Sequence, residues 1–238
     1  MSDLSILMPV YNERATIEEA IAQVLDADLP VDDVELVVVD DGSEDGTREL
    51  LAGMDLPERV QLLTHVANRG KGAAIRTALD AAQGRFAAIM DADLEYDPND
   101  LRRLLEPLLD GRATVVFGTR GFHSHSSFSF WYVLGNKAVT MAANVLYNSW
   151  LADIMTCHKV MPTETMRSLD LRSRGFTIEP EITAKLLTSG HRIFEVPITY
   201  SARGRDEGKK LTAMDGLRTL ATLVGYRLRP YRPRGTNQ

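Results

Sequence analysis

Cysteine occurs once in 238 residues, at Cys157, which excludes an internal disulfide framework and any multi-cysteine zinc cluster and fits a reducing cytoplasm. Long apolar runs are missing too. No uninterrupted stretch reaches the roughly 18–20 residues needed to cross a bilayer, and Met1-Ser2-Asp3 leads straight into a short strand pattern instead of a signal peptide. Neither a membrane span nor export is expected. The fingerprint G-x-G-x-x-G is absent after the first predicted strand, where "PVYNE" (9–13) stands instead, and this argues against a dinucleotide-dependent dehydrogenase. An Asp-x-Asp pair does occur, Asp91-Ala92-Asp93, but outside the N-terminal strand and followed by Leu94-Glu95 where a HAD-type phosphatase wants Thr or Val.

What is present is ordinary in bulk and uneven in charge. With 44% hydrophobic and 25% charged residues, the composition is that of a globular chain long enough for one large α/β domain, placed at 1–210, followed by an appendage at 211–238. The net charge of −6 hides an asymmetry: residues 203–238 carry nine Lys/Arg against three acids, and residues 1–202 carry 18 against 30. The basic end therefore has its own job or its own partner. No nucleic-acid partner is expected.

Short aliphatic runs at 4–10, 34–40, 60–65, 86–91 and 114–118 alternate with helical patterns near 14–26, 46–53, 71–83 and 98–110. Repeated βαβ predicts a Rossmann-like, mostly parallel sheet flanked by helices. Ligands of such sheets sit beyond the carboxyl ends of the strands. Each predicted strand empties there into polar, acidic or glycine-containing residues: "PVYNE", "DDGSEDGT" (40–47), "NRGKGAA" (68–74), "DADLE" (91–95) and "GTRG" (118–121).

The fourth of these holds Asp91, Asp93, Glu95 and Asp97 within seven positions, and like charges so close raise one another's pKa unless a cation lies between them. If the chain stays extended past Met90, Asp91, Asp93 and Glu95 share a face, and hard oxygen ligands in that pattern suit Mg²⁺ or Mn²⁺, which complete their shell with water and phosphate. Asp97 and Asp100 read instead as helix-capping charges around Pro98. A carboxylate at Asp41 can accept from a base or ribose. Gly42 and Gly46 permit a tight turn, and Ser43 or Asp45 cap the next helix. Residues 68–72 read as an anion cradle at a helix start or as a solvated cap.

The ordered set "MPVYNE", "VVVDDGSEDGT", "NRGKGAA", "MDADLEYDP" and "FGTR" resembles glycosyltransferase family 2, inverting enzymes of the GT-A fold that use nucleotide-diphospho-sugars. "GNKAVTMAANVLYNSWLADIMTCHKV", "FTIEPEITAK" and "EVPITYSARGRDEGKKL" extend the likeness to its dolichol-phosphate mannosyltransferase and polyprenyl-phosphate glycosyltransferase branch, over about 4–228. The resemblance implies that Pro9, Tyr11, Glu13 and Asp41 surround the nucleobase and ribose, with Lys71 nearby. It implies that Asp91 and Asp93, with Ala92 between them, hold the metal and diphosphate, and that Glu95 is a further ligand. Arg120 would face an acceptor phosphate, and Arg203 and Lys209 would close over the diphosphate. After "GTR" this chain has "GFHSHSS" (121–127) where family members carry a larger aromatic or aliphatic segment; with no Cys or His partner near His123 and His125, it reads as a mobile acceptor loop.

The expected reaction moves a hexose from a donor such as GDP-mannose or UDP-glucose to a polyprenyl phosphate, which is already anionic and needs positioning more than a base. A hydroxyl acceptor would need one, with Asp153, Glu179 or Glu181 as candidates or as structural residues, and a non-catalytic sugar-nucleotide binder is the remaining alternative. Leu217, Leu220, Ala221, Val224 and Leu228 form a helical stripe beside Arg218, Arg227 and Arg229, with Arg232 and Arg234 following. This is a basic amphipathic helix for an anionic surface at the cytoplasmic face of a membrane, or one that packs on the domain or on a second subunit of a homodimer. The aromatic segment at 128–134 suits an interface.

Overall fold

A computed structural model describes residues 2–121, 130–201 and 213–229. Arg203, Lys209, His123, His125, Phe128, Arg232 and Arg234 lie outside the described residues, as does the proposed boundary at 210–211. Seven strands form one sheet in the order β3-β2-β1-β4-β6-β5-β7. β1 (Leu4–Val10), β2 (Val34–Asp40), β3 (Val60–Thr64), β4 (Phe86–Ile89) and β5 (Val115–Arg120) lie where the aliphatic runs place them, within a few residues. β6 (Lys159–Pro162) and β7 (Ile193–Ile198) are additions that no run announced. β6 runs antiparallel to both neighbours, and every other pairing is parallel.

Period-two alternation sorts the strand side chains onto two faces. Leu4, Ile6, Met8 and Val10 of β1 pack with Leu36 and Val38 of β2 against α1 (Ile17–Asp26), α2 (Thr47–Gly53) and α4 (Asp100–Leu109). Leu7, Val37 and Val39 face α3 (Lys71–Ala81), α6 (Thr163–Ser168) and α7 (Ile178–Thr188). Each such buried aliphatic contributes roughly 1.5–3 kcal/mol. A third cluster, built on Ala143, Ile154, Ala184 and Leu223, seats α8 (Ala213–Leu228) on α5 (Phe130–Tyr147) and α7. Tyr147 adds a hydrogen bond from its hydroxyl to the Leu223 carbonyl at 2.6 Å. One face of the basic helix is therefore packed on protein, while Met214, Leu217, Val224 and Leu228 remain exposed.

The topology fixes where a ligand goes. The chain builds outward from β1 to β3 and then returns to place β4 on the other side of β1. The order reverses between β1 and β4, and the crevice beyond their carboxyl ends is the preferred ligand position in such a sheet.

Candidate active site

The first two rim loops are stitched together by their own polar residues. Asn12, at φ 56°, donates its N–H to Ser43 Oγ at 2.9 Å and accepts the Glu44 N–H on Oδ1 at 2.9 Å. The Glu13 N–H reaches Thr47 Oγ1 at 3.0 Å. Asp45 accepts the Thr47 N–H at 3.0 Å in the turn before α2, whose N-cap position is held by Gly46 and not by Ser43 or Asp45. Gly42 (φ 76°) allows this loop to touch the next: a Cβ there would stand 2.4 Å from the Ala67 carbonyl carbon. Tyr11 is left exposed over the crevice, able to offer a ring face to a base.

Two of these loops direct polar groups inward. Asp41 is buried, and its carboxylate is committed inward: Oδ1 meets His65 Nδ1 at 2.6 Å and the Arg69 N–H at 3.0 Å, and Oδ2 accepts the Gly70 N–H at 2.7 Å. It anchors the third loop through the Arg69 and Gly70 amides. Residues 68–72 do not form an open anion cradle either. The Gly72 N–H at the start of α3 donates to the Arg174 carbonyl at 2.7 Å, and a Cβ on Gly70 (φ 92°) would meet that oxygen at 2.4 Å. The helix start is capped by protein, and what it delivers to the rim is the Lys71 side chain.

The carboxylates after β4 are also arranged differently from the extended run anticipated. β4 ends at Ile89, and Leu94 takes φ 59°, so the alternation that would align Asp91, Asp93 and Glu95 is broken. Glu95 turns toward β7, accepting from the Tyr200 hydroxyl at 2.7 Å. Asp93 is half-buried and accepts the Glu95 N–H on Oδ1 at 3.1 Å. Asp91 turns toward α3 and β6: its Oδ2 receives both Lys71 Nζ at 2.8 Å and Cys157 Sγ at 2.7 Å. Among the described residues no three His, Cys, Asp or Glu side chains close on a common point. The donors nevertheless fit an open site for a hard divalent ion, which commonly takes one or two protein carboxylates and fills its shell from phosphate and water. Both protein partners of Asp91 hold the same oxygen, and Asp93 stands two positions on at the crevice rim.

Burial around Asp91 works against charge, and pairing overrides it. Burial favours a neutral Lys71, yet Asp91, Cys157 and Glu179 hold its pKa well above the usual range. Burial would raise the Asp91 carboxyl, but Lys71 and the Cys157 hydrogen bond keep it low. The Cys157 thiol is pushed up to about 12 by burial and by Asp91, so it serves as a donor and not as a nucleophile. Beyond Lys71, Glu179 of α7 takes the buried Lys159 ammonium on Oε2 and lies 3.4 Å from Lys71 Nζ through Oε1.

On the other side of Glu95, the guanidinium of Arg120 forks onto Asp153, Nε to Oδ2 at 2.7 Å and Nη2 to Oδ1 at 3.0 Å, with its carbon 5.1 Å from the Tyr200 ring centroid. Tyr200 thereby bridges the acidic loop and Arg120. Tyr96 stacks on His158 at 4.7 Å, and burial pushes that imidazole down to about 4, so it is neutral near pH 7. The three carboxylates considered as bases are all engaged: Asp153 with Arg120, Glu179 with Lys159, and Glu181 with Lys185 at 2.6 Å. Sequence reasoning did not single out Lys159, His158 or Tyr200 for the site, nor Cys157 as a neighbour of Asp91. The only signal was the placement of "TCHK" after Asp153.

The family profile described as Glycosyl transferase family 2 matches residues 5–167, more than half of the chain. The chain belongs to glycosyl transferase family 2. Among its relatives, the polyprenol monophosphomannose synthase of Mycolicibacterium smegmatis is 28% identical over 208 residues, covering 83% of this chain and 77% of that one. The dolichol-phosphate mannosyltransferase of Pyrococcus furiosus is 28% identical over 210 residues, covering 87% and 58%. The chain spans between 48% and 77% of the length of four curated relatives. The glucosyl-3-phosphoglycerate synthase of Mycobacterium tuberculosis, solved with Mn²⁺, UDP and glucosyl-3-phosphoglycerate, superposes with a TM-score of 0.71 at 22% identity, covering 97% of this chain and 81% of that one. The likeness to that structure is one of fold, and it agrees with the GT-A architecture that the resemblance implied. Two of these relatives carry names for mannosyl transfer involving polyprenol or dolichol phosphate.

Proposed function

We propose that this family 2 chain transfers a hexose from a nucleotide-diphospho-sugar such as GDP-mannose or UDP-glucose to a polyprenyl phosphate, with inversion, in the presence of Mg²⁺ or Mn²⁺. The observation that carries the reading is the pairing of Asp91 with Lys71 beyond β4, with Asp93 two positions on and Arg120 linked to the same acidic loop through Tyr200 and Glu95. Asp91 and Asp93 would hold the cation. When bound, such an ion supplies Lewis-acid stabilisation of the charge that develops on the diphosphate leaving group. Tyr11, Pro9 and Glu13 line the base side, and Asp41 fixes the loop that carries Lys71. Arg203 and Lys209 would close over the diphosphate, and Arg120 would face the acceptor phosphate. Because Asp153, Glu179 and Glu181 are each held in an ion pair, none is poised to deprotonate a hydroxyl, which favours an acceptor that is already anionic. In-line attack by a phosphate oxygen inverts the anomeric carbon.

The deciding experiment incubates the protein with each sugar nucleotide, Mn²⁺ and a polyprenyl phosphate. Sugar-loaded lipid is the expected product; transfer only to a hydroxyl acceptor, or none, would overturn the reading. A thermal-shift panel of nucleoside diphosphates identifies the base: at about 100 Kd a ligand adds roughly 2.7 kcal/mol, and at ~2–4 °C per kcal/mol the preferred nucleotide raises the midpoint by about 5–10 °C, only with Mg²⁺ or Mn²⁺ present.

A lipid acceptor requires contact with a membrane. No described helix is long and apolar enough to cross one. The surface offered instead runs along α5 and α8, where Phe130, Leu134, Val145, Leu217, Val224 and Leu228 are exposed beside Arg218 and Arg227. We take this as a peripheral, salt-sensitive attachment to the anionic cytoplasmic face, and self-association of two chains through the same strip is the competing outcome. Replacing Arg218 and Arg227 by Gln should weaken flotation with anionic liposomes roughly 30-fold at low salt, at about 1 kcal/mol per basic residue. Flotation unaffected by both salt and substitution would refute the attachment.

A further inference from the structure

Glu179 Oε1 is a buried carboxylate oxygen with no hydrogen-bond partner among the described residues, although Lys71 Nζ stands only 3.4 Å away. Lys71 gives its hydrogen bonds instead to Asp91 Oδ2 at 2.8 Å and Cys157 Sγ at 3.0 Å. The second oxygen of Glu179 is held by Lys159, whose ammonium is also fixed by the Ile154 and Thr156 carbonyls. Glu179 is thus clamped on one oxygen and open on the other, and the open one points at Lys71.

We infer that Lys71 is a tethered cation with two seats, Asp91 in the absence of a divalent ion and Glu179 Oε1 in its presence, and that Glu179 is the positioning residue which makes the exchange possible. This rests on the reading of Asp91 and Asp93 as metal ligands. An ammonium and a divalent ion on one carboxylate repel each other, so an ion bound through the other Asp91 oxygen weakens the hold of Lys71 on Oδ2 and shifts it toward Glu179. The Lys71 side chain is only 11% exposed, and stranding an ammonium there without a partner is strongly unfavourable. A shift of a few tenths of an ångström toward Glu179 Oε1 satisfies both groups. Until then Lys71 keeps Asp91 neutralised, which answers the repulsion between neighbouring carboxylates and makes ion binding conditional on a second seat for the lysine. Cys157, protonated and donating to the same Oδ2, stays behind on the carboxylate when Lys71 leaves.

The test measures Mn²⁺ binding to the full chain without nucleotide, from the electron paramagnetic resonance signal of free Mn²⁺. Lys71→Met and Lys71→Gln should tighten Mn²⁺ about tenfold, whereas Lys71→Arg, which keeps the competing charge, should not. Glu179→Gln and Glu179→Asp should each weaken it about fivefold, the second while retaining the carboxylate charge. In the Lys71→Met background the Glu179 substitutions should change nothing, because the lysine they serve is gone. Wild-type affinity in Lys71→Met and Lys71→Gln, or a Glu179 effect that persists undiminished in the Lys71→Met background, would overturn the two-seat arrangement while leaving the metal site intact. If wild-type protein binds no Mn²⁺ even with a nucleoside diphosphate, or binds it equally after Asp93→Ala, the metal reading itself is wrong and this inference falls with it.

Discussion

Asp93→Ala should lower kcat/KM for sugar transfer by about 10³ or more while leaving the folded state nearly as stable as before. On the proposed function, Asp93 would be one of two carboxylates holding an ion that would contribute several kcal/mol to stabilising the leaving group, and each ~1.36 kcal/mol is worth a factor of ten. Stability should change little because Asp93 is half-buried at the rim and belongs to none of the three apolar clusters. Asp97→Ala is the control: its Oδ1 accepts the Asn99 N–H at 2.9 Å in an exposed turn, and its loss should alter turnover less than about twofold, within the range of surface substitutions. Steady-state release of nucleoside diphosphate, with unliganded melting curves for each variant, checks both. Full activity in Asp93→Ala would remove the basis for the proposed chemistry.

Asp153→Ala has the largest expected effect on stability. The carboxylate holds the buried Arg120 fork and accepts from Asn136 Nδ2 at 3.2 Å and the Met155 N–H at 3.0 Å. Removing one partner of a buried pair costs about 3–5 kcal/mol, which in a chain of this length lowers the melting midpoint by roughly 10 °C. Asp153→Asn preserves shape and should lose less. Burial alone would raise the Asp153 carboxyl, but Arg120, Asn136 and the Met155 N–H together hold it below its ordinary value of 3.8. The sign follows: a depressed folded-state pKa gives stability that is fully present above 3.8 and is lost as pH falls through the lower folded value. Denaturant midpoints of wild type and Asp153→Asn should therefore differ by a constant amount from pH 7 to 5 and converge below about 3.8. A gap that widened in acid would contradict the pairing.

β1 to β5 were legible because each is a short, largely aliphatic run that leads into polar, acidic or glycine-containing residues, and Val37, Val38 and Val39 are buried as such a run requires. β6 was not, since four residues beginning with a buried lysine do not announce a strand. β7 sits at the sheet edge with Phe194 partly exposed, so its alternation is diluted. The same boundary divides the site. The rim loops could be read because chain order carries each to the same edge. The partners of Asp91 could not, because Cys157 lies 66 positions away and reaches it only through the antiparallel strand. The period-two argument failed at Leu94, where local left-handed geometry overrode the strand pattern. Asp41 was placed correctly at the strand end, but whether a carboxylate points outward or inward depends on who else is there, and His65 and the Arg69 and Gly70 amides claim it.

The reversed direction of β6 has a further effect on how this scaffold can diversify. A parallel sixth strand would enter from the opposite edge and bring only its trailing loop to the crevice. Running backwards between β4 and β5, it brings its leading segment there, so Asp153, Cys157 and His158 arrive at the crevice before the strand begins, and Lys159 opens it. Arg120 and Asp153 are tied by one guanidinium–carboxylate fork, so the end of β5 and the segment leading into β6 are held together independently of the chain between them.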